Sequence, residues 1–157
     1  MKNIWLLAFT LFSCQSSNSS ETSEVVVFSL HDEEGIQSVH DLKLDDKYAN
    51  LLDPRVSTEE QLPEVVDSWS KFHQQIGNKL KEKGFEWGSE KPVKLVNKIY
   101  FNSNSEVEFY AFRIMNDLPK EKIESFNRHI QEILPTVNMD LVRTGQFAQC
   151  GKVEYQN

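Results

Sequence analysis

A chain of 157 residues holds about one domain once an N-terminal leader and tether are set aside, and an apolar fraction of 39% with ten Phe and three Trp excludes wholesale disorder. The formal net charge of −7 is unevenly spread: residues 21–67 carry thirteen acids against three bases, while 68–157 carry eleven acids against thirteen bases. An acidic total with no basic stripe lacks the footprint that phosphate backbones need, so no nucleic-acid partner is expected.

The chain opens with Lys2 and the apolar run Ile4-Trp5-Leu6-Leu7-Ala8-Phe9-Thr10-Leu11-Phe12, followed by Ser13 and Cys14. As a helix those nine residues would rise about 14 Å, well short of a hydrocarbon core about 30 Å thick. Residues 1–13 therefore read as a signal peptide and not as a span. Leu11-Phe12-Ser13-Cys14 resembles a bacterial lipobox, with Leu three before the Cys, a narrow residue at the cut and a thiol to alkylate; Phe12 is bulkier than is usual at its place. The resemblance implies lipidation of Cys14 and a membrane anchor of two or three acyl chains. An ordinary secretory leader, with Cys14 discarded or free, is the alternative. Residues 14–24 are too polar to offset the entropy of ordering and form a tether. Gln15 stands where an Asp commonly retains lipoproteins at the inner membrane, so the resemblance points to the outer membrane.

Residues 25–157 are expected to form a single domain, with an acidic strand and loop region over 25–60. Val25-Val26-Val27-Phe28-Ser29-Leu30 is a β-branched run that predicts a strand. A second strand is expected over 36–44 and a loop over 50–63, bounded by Asp53-Pro54 and Leu62-Pro63. From Val66, the spacing of Trp69, Phe72, Ile76 and Leu80 predicts an amphipathic helix capped by Asp67 or Ser68, with Gly84 as the left-handed residue beyond its end. Trp69 is expected in the core in preference to a ligand platform. Alternation over 93–101 and again from Val107 to Phe112 predicts a β-hairpin turning at Asn102-Ser103-Asn104-Ser105, whose Asn residues tolerate positive φ. Both hairpin faces carry large apolar groups, so one is expected to pack on helices and the other to be partly covered or open to a partner. A second amphipathic helix is predicted from Pro119 to Pro135, then closing strands over 139–142 and 147–155.

Chemistry-bearing motifs are sparse. With Cys14 acylated, Cys150 is the one thiol left, which forbids an intrachain disulfide; it reads as a small buried hydrophobe, or else as a nucleophile without a visible base. His31, His40, His73 and His129 include no i, i+4 pair, so no zinc site is expected. The acids Asp32, Glu33, Glu34, Asp45 and Asp46 match no calcium loop and read as a solvated face. Neither a glycine-rich phosphate loop nor a G-x-S-x-G elbow occurs. No cofactor, metal or catalytic residue is expected.

The order helix, strand, strand, helix, strand resembles the TonB C-terminal domain family. The likeness is carried by Leu62-Pro63-Glu64 before the helix over 69–80, the strand Lys98-Ile99-Tyr100-Phe101, the tip over 102–105, the strand Glu106-Val107-Glu108-Phe109-Tyr110 and the helix over 119–134. It spans about residues 60–157 and implies an α+β fold: a small, mostly antiparallel sheet packed by two amphipathic helices. The tip lacks the Asn-Gly or Asp-Gly pair common in that family, and a lipobox replaces the transmembrane helix of an energy transducer, so only the fold and the addition of a partner's strand to a sheet edge are implied. The expectation is a lipid-anchored envelope protein, not an enzyme, that holds a protein partner at its sheet edge or at the face around Tyr100, Tyr110 and Phe112. The alternatives are an immunity-type or structural lipoprotein whose acidic half meets a basic protein, and an envelope enzyme using Cys150 or the acids near Asp32.

Overall fold

The computed structural model describes residues 24–156. In chain order these form strand β1 (Val26–Ser29), helices α1 (Glu33–Leu42) and α2 (Leu44–Lys47), strand β2 (Ala49–Asn50), helix α3 (Leu62–Glu82), strands β3 (Val93–Phe101) and β4 (Val107–Ile114), helix α4 (Lys120–Ile133), a 3-10 turn (Leu134–Thr136) and strand β5 (Phe147–Tyr155). The strands make one open sheet of order β1-β4-β3-β5-β2. The class is α+β, as expected. β3 pairs antiparallel with both β4 and β5, while β1 and β2 add parallel flanks to β4 and β5.

The sheet buries both faces over most of its length. Strand alternation sends Leu95, Ile99, Phe101, Tyr110, Phe112 and Phe147 to one face, where Phe72 and Ile76 of α3 and Phe126 and Ile130 of α4 complete the larger core. Tyr100, Ala111 and Ala148 point to the other face and meet Leu44 and Tyr48 beneath α1 and α2 in a second core. One irregularity shapes the hairpin: Tyr100 pairs with Phe109 but Phe101 with Val107, so Glu108 is the extra residue of a bulge. Val107 is thereby moved to the face of Tyr110 and Phe112, where strict alternation would set it with Phe109 and Ala111. At the tip, Ser105 and neither Asn has positive φ (63°), and the Asn102 side chain accepts from the N–H groups of Asn104 and Glu106.

Other expectations need correction. Residues 36–44 are helical over most of their length: Asp32 accepts the Gly35 N–H at 2.8 Å as N-cap, and Gly35 approaches β1 so closely that a Cβ would lie 1.9 Å from the Ser29 carbonyl oxygen. No buried stripe marks this helix in the sequence, because Ile36 and Leu42 stay exposed and Val39 alone packs on the second core. α3 begins four residues before Val66, with Pro63 in its first turn, where a missing N–H costs nothing. Ser68 is therefore inside the helix and donates to the Asp140 carbonyl oxygen at 2.5 Å. Gly84 does adopt φ 72° beyond the helix end. Residues 139–142 form no strand; an isolated bridge pairs Glu106 with Asn138. Among the described residues no helix is long and apolar enough to cross a membrane.

Candidate docking groove along the edge of β5

β2 covers only Phe147 and Ala148 at the start of β5. The Leu51 N–H donates to the Ala148 carbonyl oxygen at 2.9 Å, which sets the side to which that residue's polar groups turn. Along a strand those groups alternate sides with period two, so Gln149, Gly151, Val153 and Tyr155 bond to β3 while Cys150, Lys152 and Glu154 direct N–H and C=O away from it. The same parity runs across the sheet: Met115 donates to Lys94, and Leu30 to Phe112. Among the described residues nothing pairs with the outward groups of Cys150, Lys152 and Glu154.

That bare edge borders a groove of about 860 Å³ between α3 and residues 152–156. Trp69, His73, Gly77 and Tyr155 line its inner wall; Ser70, Gln74 and Lys81 stand along its rim. A second hollow of about 210 Å³ continues from Gly77 and Tyr155 toward Trp87. Helix and strand touch closely because small residues face large ones. A Cβ on Gly77 would sit 3.5 Å from the Tyr155 ring, and one on Gly151 would lie 2.9 Å from Trp69 Nε1. Trp69 is thus a core residue, 9% exposed, that also walls the groove.

Beneath the groove lies a buried polar cluster. His73 Nδ1 and the Tyr155 hydroxyl share a hydrogen bond of 2.7 Å, and the Tyr110 hydroxyl donates to Asn97 Oδ1 at 2.9 Å. Burial pushes His73 down to about 3 and raises the Tyr110 and Tyr155 hydroxyls far above the usual tyrosine range, so all are neutral at physiological pH. His73 Nε2, Asn97 Nδ2 and Gln149 Oε1 have no hydrogen-bond partner among the described residues. These three atoms, from α3, β3 and β5, leave unmet hydrogen-bonding capacity in the part of the core beneath the groove.

The structure treats the anticipated site residues differently. Cys14, the lipidation candidate, lies outside the described residues. Tyr100, Tyr110 and Phe112 are fully buried, so they form no partner-binding face; this corrects that expectation. Alternation places Tyr100 under α2, where its hydroxyl donates to Asp45 at 3.0 Å, and Tyr110 and Phe112 on the opposite face, where Phe112 meets Phe126 edge-on at 5.0 Å. Cys150 is half-buried and not sunk in the core. Its strand alternation puts it on the face of Lys98, its partner in register, away from the face where His73 is buried. His31 is engaged elsewhere, accepting the Ile114 N–H at 2.9 Å. Of the acids once weighed as ligands, Asp32 caps α1, and Asp45 bonds Lys98 at 2.6 Å. Among the described residues no three His, Cys, Asp or Glu side chains converge to hold a metal ion.

The edge residues were missed because an unpaired strand side is a property of sheet order, which no local pattern in 147–155 encodes. The one local hint was Gly151, a glycine inside a strand, which signals close approach by another element. No protein-family model, no curated protein and no solved structure matches this chain.

Proposed function

We propose that this chain is an exported, lipid-anchored, non-enzymatic binding module of the cell envelope, which holds an extended segment of a protein partner at the free edge of β5. The supporting observation is the coincidence of three backbone positions unpaired among the described residues, Cys150, Lys152 and Glu154, with a groove of about 860 Å³ beside them. Main-chain hydrogen bonds supply affinity in this mode and the groove supplies selectivity. The likeness of residues 60–157 to the TonB C-terminal domain family points the same way. In this reading an acylated Cys14 anchors the module to a membrane, in a diderm cell the outer membrane, and the polar tether lets the domain stand off from it.

A photocrosslinker built into position 152 of the anchored protein, in native envelopes, tests this reading. A discrete adduct is expected from position 152 and not from position 43, beside α2, and Glu154→Pro should remove it by deleting an outward N–H without touching the β3 ladder. Equal adducts from both positions, or an adduct indifferent to Glu154→Pro, would contradict the reading.

A further inference from the structure

The charges around the β5 edge are unevenly paired. Two acids beside this edge are already engaged: Asp67 on α3 pairs with Lys71 at 2.9 Å, and Glu154, on the sheet face away from α3, with Lys94 at 3.4 Å. Two nearby cations are not. Lys81 and Lys152 are exposed, and neither has an ion pair among the described residues. On the sheet face away from α3, Val96 is in register with Arg113 on one side and Lys152 on the other, so a row Arg113, Val96, Lys152 runs to the free edge. Arg113 too is exposed and without an ion pair among the described residues. A strand added at β5 would extend that row by one residue, directly across from Lys152. Its neighbouring residues would turn the other way, into the groove near Trp69 and Gly77 with Lys81 on the rim.

We infer that the segment taken up by β5 is an acidic one, with a carboxylate side chain in register with Lys152 and small or apolar side chains entering the groove beneath α3. This rests on the edge-docking reading above and adds charge and pattern to it. The opposite preference is disfavoured, because a cation placed across from Lys152 would meet like charge, and the neighbouring Glu154 is already paired with Lys94. The β5 edges of two copies are poor mates in the register that sets Lys152 opposite itself, for the same reason.

The test uses the mature protein and two fluorescein-labelled ten-residue peptides, one alternating Glu and Val and the other Lys and Val, read by fluorescence anisotropy. The Glu-Val peptide is expected to bind at least tenfold more tightly than the Lys-Val peptide. That preference should shrink as salt rises from about 50 to 300 mM, since exposed charges are screened over about 10 Å or less. Lys152→Glu should erase or invert it, and Glu154→Pro, with unfolding midpoint measured as a folding control, should abolish binding of both. Equal binding of the two peptides, lost in Glu154→Pro, would overturn the acidic preference and leave edge docking standing. Binding of the acidic peptide that survives Glu154→Pro, or no binding of either peptide, would overturn both.

Discussion

The indole of Trp69 on α3 lies so close to Gly151 on β5 that a methyl group added there would come within 2.9 Å of Nε1. This contact sets how closely the helix rides on the last strand, and hence how wide the groove opens. Gly151→Ala forces the indole or the strand to move, and overpacking of this kind costs about 1–3 kcal/mol. Urea unfolding should therefore show a lower midpoint for Gly151→Ala, with Trp fluorescence of the folded state shifted because Trp69 has moved. An unchanged midpoint and spectrum would mean the seam is loose.

Tyr110 separates a buried role from a surface one. Tyr110→Asp places an unpaired carboxylate among Phe112, Asn97 and the α3 side of the core, and is expected to remove at least about 3 kcal/mol of stability. Tyr110→Phe only strands Asn97 Oδ1, at about 1–3 kcal/mol. Chemical denaturation of both variants gives the order; wild-type stability in Tyr110→Asp would argue that this ring faces solvent after all.

His73 gives the fold a pH dependence with a definite sign. Its folded pKa is depressed to about 3 by burial, against about 6.5 in the unfolded chain. Above 6.5 the ring is neutral in both states and contributes no slope. As pH falls below 6.5 the unfolded state takes up a proton that the folded state refuses, so stability declines by up to about 1.4 kcal/mol per pH unit toward pH 3. His73→Gln should flatten this part of the profile between pH 6.5 and 5. Parallel profiles for variant and wild type would assign the acid sensitivity elsewhere.

Cys14→Ala should shift the protein from the membrane fraction to the soluble fraction, and mass spectrometry of the wild-type mature N-terminus should find an acylated Cys14. A first residue other than Cys14, or an unmodified sulfur, would remove the anchor from the account.

What was legible in the sequence follows from how many neighbours each element needs. α3 and α4 declare themselves because Phe72, Ile76 and Leu80, and likewise Phe126, Ile130 and Ile133, fall on one stripe that a single sheet face buries. The hairpin is equally plain, since β3 and β4 alternate and turn at Asn102. α1 was misread because its burial is slight and its start depends on Gly35 fitting against Ser29, a contact between elements. Two apolar hairpin faces suggest a partner surface at Tyr100, Tyr110 and Phe112, yet each face has its own cover, Tyr48 at the end of α2 over Tyr100 and Phe126 of α4 over Phe112. The groove was invisible for a related reason: β2 is two residues long and leaves the rest of β5 bare, and strand order lies beyond periodicity.

Amide exchange along β5 puts the edge claim to its most direct test. In the free protein, resolved residue by residue by NMR, the N–H groups of Cys150, Lys152 and Glu154 are expected to exchange rapidly while those of Gln149, Gly151 and Val153 are protected by β3. Addition of the Glu-Val peptide should slow the first set and leave the second unchanged. Uniform protection from 149 to 154 in the free protein, or no change in the outward amides on addition of peptide, would contradict an open docking edge.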